Sequence, residues 1–159
     1  MTESLLEAAP DAVETQSIII DEVFPHRPEV LWQALTNGAL INRWMMQPQG
    51  FEAVVGKEFT FQTTPAGAWD GTIRCTMLEV VPLQRLVYAW RSGDKGNVGY
   101  GAPLDTVVTF TLTPVEIGTR LKLVHAGFVL PRNDTAFTSM GKGWKTCVER
   151  LAGVVDKPD

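Results

Sequence analysis

Histidine and cysteine are scarce in this chain, whose 159 residues include only two of each. No Cys-x-x-Cys or His-x-x-x-His spacing occurs, and we find no carboxylate cluster at the spacing of metal ligands. The sequence also has no Gly-x-Ser-x-Gly nucleophile elbow, no phosphate-binding P-loop and no dinucleotide-binding fingerprint after a strand. We therefore expect no metal site and no cofactor.

Positive charge and long apolar runs are limited as well. Fourteen Lys and Arg residues face 18 Asp and Glu residues, for a net charge of −4, and no Lys/Arg-rich run is present. Nucleic-acid-binding domains usually carry a basic stripe, so we expect no such partner. No stretch approaches the ~20 apolar residues of a membrane span, and the N-terminus lacks the pattern of a signal peptide. We expect a cytoplasmic protein with two free thiols.

Length and composition predict one folded domain after a short leader. At 159 residues, 45% of them hydrophobic, the chain is long enough to build a core without disulfides or metals. Residues 1–16 hold four acidic side chains, no basic one and a proline, which indicates a flexible acidic leader. The folded domain is then expected over 17–156.

Apolar periodicity predicts three helices. A β-branched strand at 17–24 is followed by a helix that begins at Pro28 and ends before Asn37-Gly38, and by a short helix at 39–45. From 137 to 155, apolar residues recur at i, i+3, i+4 and i+7 for about five turns. This spacing is typical of a long amphipathic helix with a wide apolar face.

The central part of the chain predicts an antiparallel sheet. Apolar and polar residues alternate, so each strand has one buried and one solvated face. The predicted strands are 57–64, 70–81, 84–91, 104–113 and 119–126. The loop at 92–103 carries four glycines, and we expect it to form a lid or the rim of a pocket. A long helix across such a sheet encloses a space suited to small apolar ligands.

Several local strings point to a known family. They are PEVLWQALT at 28–36, RWM at 43–45, DGTI at 70–73, TRLKLVHAGF at 119–128 and GW at 143–144. In this order the chain resembles the SRPBCC (START-like, helix-grip) superfamily, and within it the branch named after the activator of the 90-kDa heat-shock protein ATPase. The resemblance implies an α+β helix-grip fold, with a curved sheet of about six to seven antiparallel strands around the C-terminal helix. It also implies a deep cavity for hydrophobic small molecules between sheet and helix.

The cavity wall is expected to come from inward strand positions and from the apolar face of the long helix. Trp44 and Trp69 lie near ends of predicted elements, where a rim would be, and Gly141 would let a strand or ligand approach the helix backbone. The alternative is that the same side chains fill a solid core. The candidate ligand-binding residues are Trp44, Phe59, Phe61, Trp69, Ile73, Cys75, Met77, Tyr88, Trp90, Val108, Phe110, Leu123, His125, Met140, Gly141, Trp144 and Cys147.

His125 is the candidate with the sharpest chemistry. It shares the inward face of its strand with Leu121 and Leu123. In an apolar cavity it could serve as a polar anchor or as a general base, with Tyr88 as a second proton-transfer group. The alternative is a core histidine satisfied by a backbone carbonyl near the end of the sheet.

Three functions remain open from the sequence. The favoured one is a non-enzymatic carrier or sensor that binds a small hydrophobic molecule. The second is a cyclase, dehydratase or hydrolase that uses His125 and Tyr88 in the same cavity. The third, which rests on the name of the family branch alone, is a chaperone co-regulator or another protein-interaction module. A homodimer through an exposed edge strand is also possible.

Overall fold

The computed structural model describes residues 15–157 and confirms the predicted α+β architecture. Within that range the elements follow in the predicted order, with ends that differ by a few residues. They are β1 (Thr15–Phe24), α1 (Pro28–Thr36), α2 (Gly38–Trp44), β2 (Glu58–Gln62), β3 (Thr72–Val81), β4 (Arg85–Ser92), β5 (Leu104–Val115), β6 (Gly118–Val129) and α3 (Asp134–Asp156). Of the predicted leader, Thr15 and Gln16 already belong to β1, and the rest lies outside the described residues.

The six described strands form one antiparallel sheet in the order β1-β6-β5-β4-β3-β2. Strand β1 therefore lies at one edge and β2 at the other, and the segment containing α1 and α2 connects them. The register shifts between Gln16 and Ser17 in β1, and between Met77 and Glu79 in β3. Such bulges bend a strand and increase its twist, which favours a curved sheet.

The helix boundaries follow from local chemistry. Pro28 occupies the start of α1, where its missing N–H is not needed. Between α1 and α2, the Asn37 side chain accepts a hydrogen bond from the backbone N–H of Leu40 at 3.2 Å. Asn37 therefore caps α2 while it ends α1, which keeps the two helices in immediate succession.

Helix α3 packs against β1 and β6 of the sheet and against α1 and α2. Its C-terminal half supplies the buried residues Val148, Leu151, Val154 and Val155. The C-terminal end of α3 also contacts the segment between β1 and α1, since Asp156 Oδ1 lies within hydrogen-bond distance of His26 Nε2, at 2.7 Å. No helix within residues 15–157 combines the length and the apolar character that crossing a membrane requires.

Strand β6, which lies between β1 and β5, contributes fully buried side chains to this core. Leu123 is fully buried, and its Cα partners in the neighbouring strands are Ile20 and Phe110. We expect Leu123→Ala to lower the free energy of unfolding by about 2–5 kcal/mol, because the lost methyl groups leave a cavity. The exposed neighbour Lys122 offers a matched control, whose alanine variant should change that free energy by less than about 0.5 kcal/mol.

Urea denaturation of the two variants beside the wild type checks this prediction. A loss below about 1 kcal/mol for Leu123→Ala would mean that β6 does not carry the core in the way described.

Candidate functional site

A cavity of about 250 Å³ lies between the sheet and the first half of α3. Strands β3, β4 and β5 contribute Ile73, Trp90 and Leu104, and α3 contributes Met140 and Trp144. The remaining lining residues are Met45, Met46, Thr63, Trp69, Ser92, Tyr100, Gly101, Ala102, Ala136, Ser139, Gly143 and Cys147. Carbon and sulfur atoms form most of this wall, as in sites for apolar small molecules.

The loop between β4 and β5 forms one side of the cavity. The Tyr100 hydroxyl donates a hydrogen bond to the Thr64 carbonyl at 2.6 Å, and the Tyr100 ring lies 5.8 Å from the Trp69 ring. Gly101 has a φ of 85°, and a Cβ there would lie 2.5 Å from Asn97 Nδ2. Glycine is therefore required where the loop turns toward the cavity.

A chain of hydrogen bonds joins α3 to three strands beside the cavity. The Trp144 indole N–H donates to His125 Nδ1 at 2.9 Å. Because an indole nitrogen can only donate, Nδ1 is the acceptor, and the ring proton resides on Nε2. His125 Nε2 donates this proton to Thr106 Oγ1, with 2.7 Å between the two atoms. The threonine hydroxyl in turn donates to the Trp90 carbonyl at 3.2 Å.

This arrangement keeps His125 neutral. Burial lowers the pKa of its ring from 6.5 to about 3, since a charged imidazolium would lose its hydration in the core. Both ring nitrogens already have partners, so neither is free to take a proton from a bound molecule. The expectation of a backbone carbonyl partner is wrong, because the partners are an indole and a hydroxyl.

Comparison with known proteins identifies the family. Residues 25–156 match the family model described as "Activator of Hsp90 ATPase homolog 1-like protein". The chain belongs to this family. The resemblance seen in the sequence is thus confirmed.

Solved structures of similar proteins support the same fold. Protein MLL2253 from Mesorhizobium loti is 33% identical and superposes with a TM-score of 0.78, over 91% of this chain and 99% of that chain. CalU16 from Micromonospora echinospora is 24% identical, with a TM-score of 0.68 over 91% of this chain and 78% of its own. Mll3558 from Rhizobium loti is 23% identical, with a TM-score of 0.69 over 89% and 98% of the two chains. A search of curated proteins found no significant match.

In this member of the family, the cavity is smaller than the predicted wall implies. The predicted residues that line it are Trp69, Ile73, Trp90, Met140, Trp144 and Cys147. The structure places ten others in the packed core, off the wall of this cavity. These are Trp44, Phe59, Phe61, Cys75, Met77, Tyr88, Val108, Phe110, Leu123 and His125, each at most 3% exposed. The inward residues thus line a cavity in one part of the sheet face and fill a solid core in another part.

Aromatic side chains fill the solid part. The Tyr88 ring lies 5.1 Å from the Phe59 ring and 6.1 Å from the Phe110 ring. Trp44 packs edge-on against Phe110 at 6.2 Å, and its indole donates to the Ala34 carbonyl at 2.9 Å. Trp44 is therefore a core residue, and its predicted place at the rim is wrong.

The glycine that borders the cavity is Gly143. Gly141 does not line it, and a Cβ built on Gly141 meets no atom within 4 Å, so the expected close approach to the helix backbone is absent there. Gly143 lies three residues after Met140 and four before Cys147, which places all three on one face of α3. The i, i+3 spacing from Met140 was the signal in the sequence that places Gly143 on the cavity side of the helix.

Small side chains on this face are also absent from the predicted wall. Ala136, Ser139 and Gly143 line the cavity along the first half of α3. The second half turns the larger Val148 and Leu151 into the core. The change from small to large residues along one helix face was the available signal for a hollow beneath its first half.

Burial also favours the uncharged forms of Cys75, Cys147 and Tyr88. Burial raises the pKa of the Cys75 thiol to about 12 and also raises the pKa of the Cys147 thiol. Burial likewise keeps the pKa of the Tyr88 phenol well above its usual value. Among residues 15–157, no group of three or more His, Cys, Asp and Glu side chains is placed to hold a metal ion.

The neutral His125 makes stability depend on pH. In the unfolded chain its pKa is near 6.5, so between about pH 6.5 and pH 3 the unfolded state binds more protons than the folded state. The neutral His125 ring therefore makes its full contribution to the free energy of unfolding above about pH 6.5. That contribution is lost as the pH falls toward about 3, with a slope of up to about 1.4 kcal/mol per pH unit.

Urea denaturation at a series of pH values measures this slope. We expect His125→Gln to flatten the profile between pH 6.5 and pH 4, because the variant has no buried neutral ring that gains a proton on unfolding. A His125→Gln profile as steep as that of the wild type would contradict the buried neutral ring.

Proposed function

We propose that this protein binds a small, largely apolar molecule in the cavity beneath the first half of α3, and that it acts as a carrier or sensor. The observation that carries the proposal is the cavity itself, which has a volume of about 250 Å³ and a largely apolar wall between the sheet and α3. Sites for small molecules are typically concave and lined mostly by apolar side chains, and this cavity has both properties.

The wall favours an apolar occupant. It includes the aromatic and sulfur-containing side chains of Trp69, Trp90, Trp144, Met45 and Met140. Burying apolar surface stabilises a complex by roughly 25 cal/mol per Å², and methionines adapt to differently shaped ligands. The wall therefore suits a hydrophobic molecule held by shape.

The geometry does not favour an enzyme that works through His125 and Tyr88. Neither residue lines the cavity, and the two nitrogens of His125 are occupied by Trp144 and Thr106. General acid–base catalysis requires a group within hydrogen-bond reach of the substrate, with a pKa near the working pH. The carrier or sensor role fits this environment better than the cyclase, dehydratase or hydrolase alternative.

The chaperone co-regulator alternative rests on the family description. Protein docking faces usually present a contiguous exposed apolar patch. Among the described residues, the three most exposed large apolar side chains are Val98, Ile117 and Val55, and they lie in three separate loops of the chain. The cavity is therefore the better supported functional feature, and the homodimer remains a prediction.

Two glycines of α3 provide a matched test. A Cβ at Gly143 or at Gly141 meets no atom within 4 Å, so a phenylalanine can be introduced at either position. Only Gly143 lines the cavity. We expect Gly143→Phe to weaken binding of the neutral fluorescent probe N-phenyl-1-naphthylamine at least about tenfold, and Gly141→Phe to change it by less than about twofold.

Fluorescence titration gives both dissociation constants, and thermal unfolding confirms that the two variants are folded. Equal affinity in the two variants, or no saturable binding in the wild type, would overturn this location of the site.

Native mass spectrometry then tests for a natural ligand. The protein purified from its host should carry a stoichiometric small-molecule adduct, released on denaturation, that is depleted in Gly143→Phe and retained in Gly141→Phe. Organic extraction of the released molecule would give its chemical class.

A further inference from the structure

One buried polar atom among the side chains of the cavity wall has no hydrogen-bond partner in the described part of the chain. Trp90 is 3% exposed, and its indole Nε1 makes no hydrogen bond to any of the described residues. The nitrogen is closed to solvent, so bulk water does not satisfy it. Buried N–H groups are almost always paired, and an unpaired one destabilises the fold.

The other buried tryptophans show how the fold normally treats this group. Trp44 donates to the Ala34 carbonyl, Trp69 donates to the Thr72 carbonyl, and Trp144 donates to His125, each at 2.9 Å. Trp90 is the exception among these four, although its own carbonyl accepts from Thr106. Of the three tryptophans that line the cavity, Trp90 is thus the one whose indole N–H has no acceptor.

The charge of the wall restricts what that acceptor can be. Within the described part of the chain, no Asp, Glu, Lys, Arg or His side chain lines the cavity. A carboxylate or phosphate placed here would be buried without a cation, which is strongly unfavourable. A neutral oxygen acceptor meets no such penalty.

We propose that the ligand is a neutral, largely apolar carbonyl compound, whose oxygen accepts a hydrogen bond from Trp90 Nε1 while its apolar body fills the rest of the cavity. This proposal rests on the proposed function, because it names the ligand class of the same site. It makes Trp90 a specificity-determining residue, since a hydrocarbon of equal shape leaves the indole unpaired.

Because the Trp90 indole nitrogen is closed to solvent, the oxygen of a ligand reaches it only when neighbouring side chains move. The Trp90 ring is bordered by His125 at 5.2 Å, Phe61 at 5.8 Å and Trp144 at 6.0 Å between ring centroids. Met45 and Met140 belong to the same wall and have flexible side chains that can repack around an inserted group.

Two naphthalenes of matched shape test the proposal. In 2-acetylnaphthalene the substituent is a ketone, and in 2-isopropenylnaphthalene a C=CH₂ group replaces the C=O at the same position. In the wild-type protein with ¹⁵N-labelled tryptophan, we expect the ketone to move the Trp90 indole N–H resonance downfield, and the alkene to leave it without that shift. Assignment uses the loss of the signal in Trp90→Phe.

An analogue without the N–H measures the contribution of the hydrogen bond. Replacement of Trp90 by 3-benzothienylalanine puts a sulfur in place of the indole N–H and preserves the shape of the ring. We expect the ratio of ketone affinity to alkene affinity to fall about fivefold, the factor typical of one neutral hydrogen bond. The same replacement at Trp32, which does not line the cavity, should leave this ratio unchanged.

The outcomes separate the two proposals. If both naphthalenes bind, but the Trp90 signal does not respond to the ketone and the affinity ratio is the same in both proteins, the carbonyl proposal is wrong and the cavity stands. If neither naphthalene moves the indole signals of Trp69, Trp90 or Trp144, the proposed function fails, and the carbonyl proposal fails with it.

Discussion

The hydrogen bond from the Trp144 indole to His125 Nδ1, 2.9 Å long, is the contact on which the arrangement of helix and sheet depends. It joins the middle of α3 to strand β6, and the bonds of Thr106 carry the connection to β5 and β4. The contact works only with a neutral imidazole, because a protonated ring would present an N–H to the N–H of the indole. Burial keeps the ring neutral, and the same burial removes His125 from acid–base chemistry near neutral pH.

This contact also marks the boundary between the solid and hollow parts of the protein. On the C-terminal side of Trp144, Val148 and Leu151 pack into the core. On the N-terminal side, Ala136 and Ser139 leave space that the loop between β4 and β5 closes only partly. The cavity therefore arises from the size of side chains along one helix face, while the backbone of the helix continues without interruption across the boundary.

Much of the fold could be predicted from the sequence, because alternation and helical spacing are local signals. The site could be predicted only in part. His125 meets Thr106 and Trp144, each 19 residues away, through packing that no local pattern encodes. Trp44 lies at the end of a helix and looks like a rim residue in the sequence, yet it is 2% exposed because its ring packs against Phe110. Which inward residues border a void depends on the volumes of side chains from different elements, whereas periodicity reports only the face on which each one lies.

The most direct test of the account is a crystal structure of the protein under xenon pressure, since xenon enters apolar cavities without requiring a specific ligand. The account predicts a xenon atom bordered by Trp90, Met140 and Trp144, and none between Tyr88, Phe59 and Phe110, where the rings are packed against one another. Density in the aromatic cluster, or an unoccupied space beneath the first half of α3, would contradict the division into a solid core and a ligand-binding hollow.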